Sequence, residues 1–211
     1  MAGSPGTIYR GENNPERPKD FSQEFDFLKD KPIYFGLEGY LFPDTYEIAK
    51  GESIDNIVRR MLSNFDSKFK QEMRDEVQGQ GRAISEIITM ASLIEKEVKT
   101  LEDKKIVSGI LWKRLGVSMP LQVDATIVYL TGKKTTKVSI EETQIDSPYN
   151  TYRNKGLPLG PIANPGLDSI LASIYPEENE YWYYLSTPDG KTIFSKTLKE
   201  HNSAKARYLK P

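Results

Sequence analysis

Ala83-Ile-Ser-Glu-Ile-Ile-Thr-Met-Ala-Ser-Leu-Ile-Glu-Lys-Glu-Val98 is the stretch on which the reading of this chain turns. Ile84, Ile87, Ile88, Ala91, Ile94 and Val98 recur at three- and four-residue steps, which predicts a helix with one apolar face. At about 100° per residue these positions fall within an arc of roughly 120°. Glu95 lies inside that arc, whereas Glu86, Lys96 and Glu97 point elsewhere. A carboxylate on the buried face of a helix is costly unless it is paired, hydrogen-bonded or protonated. Glu95 is therefore either a structural glutamate with a cationic partner or an acid whose pKa burial raises toward neutrality. By the same geometry Glu97 is expected to be solvent-facing or structural.

The rest of the 211 residues narrows the chemistry. Hydrophobic residues make up 37% and charged residues 28%, enough for a core and too apolar for wholesale disorder. A net charge of −1 gives no broad attraction to nucleic acid or to an anionic membrane. There is no cysteine, which removes disulfides, thiolate nucleophiles and Cys-based metal sites. A single histidine, His201, excludes a multi-histidine metal site, and its neighbours Lys199, Glu200 and Asn202 favour a surface or capping role. No apolar run reaches the 18 or so residues that cross a bilayer, and no signal peptide opens the chain. Catalysis, if any, must run on carboxylates, hydroxyls, amides and aromatics, which points to acid/base work on a substrate such as a glycan, and no metal or cofactor is expected.

Outward from the opening helix, the pattern predicts an α+β fold, mainly helical, with short strands and a C-terminal β-hairpin. Residues 1–20, with Pro5, Pro15 and Pro18, read as a flexible lead-in. Residues 21–80 read as an N-terminal part and 81–211 as the catalytic region. Phe21 to Leu28 is expected to form a short helix and Thr45 to Ile48 a short strand. Ser53 should cap a long helix whose C-terminal half, through Lys68 and Arg74, is more polar and is expected to break. Thr100 should cap a further helix closed by Gly116, and Asp124 a short one closed by Gly132. Asn164 and Pro165 look like an N-cap and N1 pair for a helix to about Tyr175. Tyr181 to Ser186 and Thr192 to Ser195, joined by Pro188-Asp-Gly190, read as the hairpin. The tail from Leu198 is helical.

Between them lies Ser147-Pro-Tyr-Asn-Thr-Tyr-Arg-Asn-Lys-Gly-Leu-Pro-Leu-Gly-Pro-Ile-Ala-Asn-Pro-Gly166, without helical or strand period. Loops of this length in a compact domain are usually functional or disordered, and its tyrosines and prolines argue for order. As a second carboxylate beside Glu95, Asp124 leads, against the alternative of a plain N-cap. Glu38, between apolar residues before Gly39, is a further candidate, with a structural hydrogen bond as its alternative.

Four segments carry a resemblance: Leu37-Glu-Gly-Tyr-Leu-Phe-Pro-Asp-Thr-Tyr46, Ala91-Ser-Leu-Ile-Glu-Lys-Glu-Val98, Leu121-Gln-Val-Asp-Ala-Thr-Ile-Val-Tyr129 and the Ser147–Gly166 run. A weaker fifth is Phe194-Ser-Lys-Thr with Glu200-His-Asn202. In this order the chain resembles the endolytic murein transglycosylases, the YceG-like family. The resemblance implies cleavage of the β-1,4 bond between N-acetylmuramic acid and N-acetylglucosamine without water, leaving 1,6-anhydro ends. It implies that the first glutamate of the Glu-x-Glu pair, Glu95, is the acid and then the base, with the sugar's own C6 hydroxyl as nucleophile. It places Gln122, Asp124, Thr126, Tyr149, Asn150 and Thr151 near the substrate, and Glu38 with them. A hydrolase using Glu95 and Asp124 and a non-catalytic glycan-binding module are the rival readings. Members of the family usually carry a cytoplasmic tail, a transmembrane helix and a LysM-like region before the Leu-Glu-Gly-Tyr motif. Here 36 residues precede it, and the Thr45–Phe65 piece has a LysM-like order, so a catalytic fragment of a membrane-anchored envelope protein is expected. The implied partners are glycan strands and peptidoglycan synthases, with the fragment a monomer.

Overall fold

The computed structural model describes residues 20–32, 35–135 and 137–209. The expected lead-in, apart from residue 20, lies outside the described residues. Among them, the α+β class holds: seven helices and one two-stranded antiparallel sheet. Helices α1 (Ile54–Lys68), α2 (Gln71–Gly79), α3 (Ile84–Glu97), α4 (Leu101–Gly116), α5 (Asp124–Thr131) and α6 (Leu167–Ile174) precede strands β1 (Tyr183–Ser186) and β2 (Thr192–Ser195) and helix α7 (Leu198–Tyr208). Tyr183 pairs with Ser195 and Ser186 with Thr192.

α3 is the stretch quoted at the outset, and its apolar surface serves two cores. Ile87, Ile88 and Ala91 pack with Phe21, Phe27, Tyr40, Leu62, Phe65 and Phe69 from the N-terminal elements and with Ile170 and Ile174 of α6. Met90, Leu93, Ile94 and Val98 pack with Val107, Leu111, Leu121, Val123 and Ile162. The single arc read from periodicity is thus part of a wider buried surface, as a helix enclosed by neighbours on several sides requires. Its N-terminus is capped from a distance: the N–H groups of Ile84 and Ser85 donate to Asp30 Oδ2 at 2.5 and 3.3 Å.

The local signals fare unevenly. Ser53, Thr100 and Thr197 accept from backbone N–H groups three residues on, as N-caps should. The chain breaks between α1 and α2 at Phe69, as its polar second half implied. Phe21 to Leu28 forms two 3-10 turns instead of a helix. Thr45 to Ile48 has no regular secondary structure, and among the described residues no strand pairs with it. Gly116 is the last helical residue of α4, and the left-handed residue beyond it is Ser118, with φ of 55°. Asp124 is the first residue of α5 instead of its N-cap, and Val123 holds the cap position without a side-chain bond. Asn164 does not cap α6, whose N-cap is Gly166. Its Oδ1 instead accepts from Gly39 N–H at 2.7 Å, tying the long loop to the Leu37–Tyr46 motif. Gly39 has φ of 93°, and a Cβ there would lie 2.6 Å from Pro161 and 2.7 Å from Ile88, so glycine is required on both counts. Among the described residues no helix is long and apolar enough to cross a membrane.

Candidate active site

The two glutamates of Glu95-Lys-Glu97 are the last acidic side chains of α3, and each docks at the start of another helix. Residues two apart on a helix diverge by roughly 160°. Glu95 therefore meets α6 and Glu97 meets α5.

Glu95 Oε2 accepts from Ser169 Oγ at 2.5 Å and from Gly166 N–H at 3.3 Å, the N-cap and first turn of α6. Lys104 Nζ approaches the same oxygen at 3.2 Å, and the lysine side chain is only 8% exposed. Burial pushes the Glu95 carboxyl up. The Ser169 hydrogen bond, the Lys104 charge and hydrogen bond and the Gly166 N–H together outweigh it, and the pKa lies below the ordinary value. This corrects the expectation that burial raises it: three donors, one of them cationic, hold the group ionised. An anion at a helix N-terminus is favoured by the helix dipole, and removing either member of the Glu95–Lys104 pair would leave the other uncompensated.

Glu97 has the contrasting surroundings. Tyr184 of β1 donates its hydroxyl to Oε2 at 3.0 Å, and the backbone N–H of Ala125, in the first turn of α5, donates to the same carboxyl. Burial is the largest influence and raises its pKa. Tyr184 lowers it, the negative charge of Asp124 raises it, and Ala125 N–H and the more remote Arg114 lower it; the sum stands at about 7. Glu97 is thus half-buried against α5 and the hairpin, where periodicity placed it toward solvent or in a structural role. A carboxyl that titrates near neutrality can both give and take a proton there.

The residues around Glu97 come from separate elements. Asp124 is exposed and accepts from the hydroxyl of Tyr152, in the long loop. Gln122 is exposed beside it with φ of 52°, a left-handed backbone held by its N–H bond to Thr151 O at 3.0 Å. Arg114 is 4% exposed and spends its guanidinium on the carbonyls of Leu121, at 2.6 Å, and Trp182. It thereby joins α4 to the segment before α5 and to the hairpin.

The other sequence candidates separate into two groups. Thr126, Asn150 and Thr151 are buried, and their polar side chains bond within the protein. Thr151 Oγ1 accepts from Val123 N–H at 3.0 Å and lies 3.1 Å from Thr126 Oγ1. Asn150 Nδ2 donates to Thr143 O and Ile145 O at 3.0 and 2.7 Å. These three shape the loop and fix the start of α5. Glu38 and Tyr149 belong to a second cluster, in which Tyr129 donates to Glu38 Oε2 at 2.8 Å and the Tyr129 and Tyr149 rings lie 5.2 Å apart. His201 stacks on Tyr183 with centroids 5.3 Å apart, and burial lowers its pKa.

Tyr184, Tyr152, Arg114, Lys104 and Ser169 escaped the sequence reading. The tyrosines looked like hairpin and loop aromatics with ordinary packing roles, and nothing in the local pattern tied them to Glu95 or Glu97. The groove lined by Thr45–Ala49 and Arg60 lies elsewhere, and Arg60 is already committed to Glu47 O and Glu52. Among the described residues no cluster of three or more His, Cys, Asp or Glu could hold a metal.

The four sequence motifs are tied to one another: Gly39 donates its N–H to Asn164 of the long loop, and Tyr129 of α5 donates to Glu38. Ser92 Oγ in α3 accepts from Ile162 N–H at 3.0 Å, fixing the loop to α3 as Thr151 fixes it to α5. Comparison with known proteins places the same residues in context. The sequence profile of the YceG-like family matches residues 7–207. An endolytic murein transglycosylase of Bacillus subtilis is 40% identical over 180 residues, 85% of this chain and 50% of that protein. One from Streptococcus pneumoniae serotype 2 is 34% identical over 188 residues, 86% of this chain and 34% of that protein. The chain therefore spans half or less of the length of these curated relatives. The crystal structure of a YceG-like protein from Listeria monocytogenes aligns with a TM-score of 0.77 at 40% identity, covering 85% of this chain and 59% of that one.

Proposed function

The chain belongs to the YceG-like family, and on that premise we propose that it carries the catalytic centre of an endolytic murein transglycosylase, with Glu97 as the acid and then the base. The substrate is a peptidoglycan glycan strand at the extracytoplasmic face of the cell envelope. The names of the relatives support the activity. The observation that carries the assignment of the acid is the contrast within one motif: Lys104 and Ser169 engage Glu95, whereas Glu97 meets the Tyr184 hydroxyl and, among the described residues, no cation pairs with it, so burial raises its pKa. The reading therefore moves the acid from Glu95, where the family resemblance pointed, to the second glutamate of the pair.

In this mechanism protonated Glu97 gives its proton to the glycosidic oxygen as the C1–O bond of N-acetylmuramic acid breaks. The departing N-acetylglucosamine leaves with that proton on its new hydroxyl. The Glu97 carboxylate then takes the proton of the muramic C6 hydroxyl while that oxygen bonds to C1. The 1,6-anhydro ring closes, Glu97 is protonated again, and no water is consumed. The half-buried setting keeps the proton available at neutral pH. Tyr184 and Ala125 N–H hold the carboxyl in one orientation. Synthase association is proposed on the family resemblance alone.

The test is product analysis by mass spectrometry after digestion of isolated peptidoglycan. Wild type is expected to give 1,6-anhydro ends, Glu97→Gln none, and Glu95→Gln the same product under conditions where it remains folded. Anhydro product from Glu97→Gln overturns the assignment. Products one water heavier point to hydrolysis, and binding without product points to a glycan-binding module.

A further inference from the structure

Glu38, Tyr129 and Tyr149 form a cluster that the proposed reaction does not use. Tyr129 donates its hydroxyl to Glu38 Oε2 at 2.8 Å, and its ring lies 5.2 Å from that of Tyr149, the planes inclined by 40°. Glu38 is exposed and both tyrosines are half-buried, so the cluster opens to solvent on one side. Among the described residues no donor meets the other carboxylate oxygen of Glu38. Each member is held from behind. Gly39, next to Glu38, donates its N–H to Asn164 Oδ1 at 2.7 Å. Tyr129 and Tyr149 pack on the same core as Ala125 and Tyr184, the residues that hold Glu97. A Cβ at Gly160 would meet the Phe35 ring and the Tyr149 hydroxyl at 3.3 Å, so the loop backbone runs directly against these rings. Tyr129 follows Ala125 by four residues, one helical turn, and both project from the same face of α5 about 6 Å apart. That spacing is comparable to the step from one ring to the next along a β-1,4 glycan. We infer that Glu38, Tyr129 and Tyr149 form a saccharide subsite one sugar ring away from Glu97, and that it takes an N-acetylglucosamine unit of the strand. The inference rests on the reading of the site as one for glycan strands.

The chemistry of the cluster matches that of the sugar. Tyrosine rings cover the apolar C–H face of a pyranose, while the hydroxyl and acetamido N–H groups at its edge need acceptors. Glu38 supplies one, since Tyr129 occupies Oε2 and leaves Oε1 for the sugar. Burial, then the hydrogen bond to Glu38 and its charge, raise the pKa of Tyr129, so its hydroxyl stays a donor and fixes the carboxylate in one orientation. A group already ordered in this way loses little freedom when the ligand arrives. In a strand that alternates two sugars, every N-acetylmuramic acid has N-acetylglucosamine on either side. The ring beside the reacting one is therefore N-acetylglucosamine. That sugar carries no peptide and meets Glu38 without charge conflict, whereas the acidic peptide stem on N-acetylmuramic acid would be repelled.

The probe is the β-1,4 tetramer of N-acetylglucosamine, followed by proton NMR of the whole chain. Tyr129→Phe and Tyr149→Phe assign the two sets of ring signals. Both sets should shift as the tetramer is added. Glu38→Ala, at an exposed position, should weaken binding about tenfold. On isolated glycan strands the same variant should raise KM about tenfold with kcat held within about twofold. Ring signals that stay unmoved overturn the inference, and so does Glu38→Ala that binds the tetramer as tightly as wild type. A fall in kcat at unchanged KM also overturns it, because Glu38 would then act on the transition state instead of holding the sugar. The binding readout needs no turnover. Anhydro product from Glu97→Gln would thus overturn the acid, while moving ring signals would still establish the subsite.

Discussion

Replacing Glu97 with glutamine should change how stability depends on pH, and the size follows from the site. The carboxyl has an ordinary value of 4.5 and titrates at about 7 in the fold. The folded state holds this proton to higher pH than the unfolded chain does. Its contribution is therefore complete below about 4.5, declines as pH rises toward 7, and is gone above that. At 1.36 kcal/mol per pH unit the span is about 3 kcal/mol. Glutamine cannot ionise, and its amide oxygen still accepts from Tyr184 and Ala125 N–H. Relative to wild type, the variant should gain about 3 kcal/mol between about pH 4 and pH 8. Other titrating groups, such as Asp30, raised by burial, and Glu95, lie in both proteins and cancel in the difference. Urea unfolding of both proteins across that range measures it. A difference constant to within about 0.5 kcal/mol would refute the argument, because it would mean that Glu97 is as well solvated folded as unfolded.

Glu95→Ala should show the opposite sign: the Glu95 pKa is depressed, so its contribution is present above the ordinary carboxyl range and lost on acidification through the folded value. With Lys104 left buried and unpaired and 29% of the Glu95 side chain open to water, the cost at pH 7 is about 2–3 kcal/mol, read from urea midpoints. Gly109→Ala in α4 should destabilise by more than about 2 kcal/mol in thermal unfolding, since its Cβ would fall 2.0 Å from Glu177 O. Gly79→Ala, with nothing within 4 Å, should be neutral or stabilising by about 0.5 kcal/mol through helix propensity.

The fold was legible where the information was local. Caps at Ser53 and Thr100 depend on a side chain reaching an N–H three residues on, and both formed as read. The period of α3 and the alternation of the hairpin are likewise local. Asn164 misled because its side chain had a better distant partner in Gly39 N–H. Thr45–Ile48 misled because strand propensity cannot supply a neighbouring strand. Among the site candidates, Thr126, Asn150 and Thr151 are buried and bond within the loop and the start of α5, a burial that no local pattern in the sequence reveals.

By itself the sequence determined that any chemistry rests on carboxylates, hydroxyls, amides and aromatics, since it holds no cysteine and one histidine, and that Glu95 and Glu97 leave one helix in divergent directions. Which of them can hold a proton was decided only by the tertiary structure. Ser169 comes to Glu95 from 74 residues away and Tyr184 to Glu97 from 87. A carboxyl's proton affinity is set by burial and by the charges and donors within a few ångströms. Those neighbours are assembled by packing, so residues two apart in one motif arrive in opposite electrostatic surroundings.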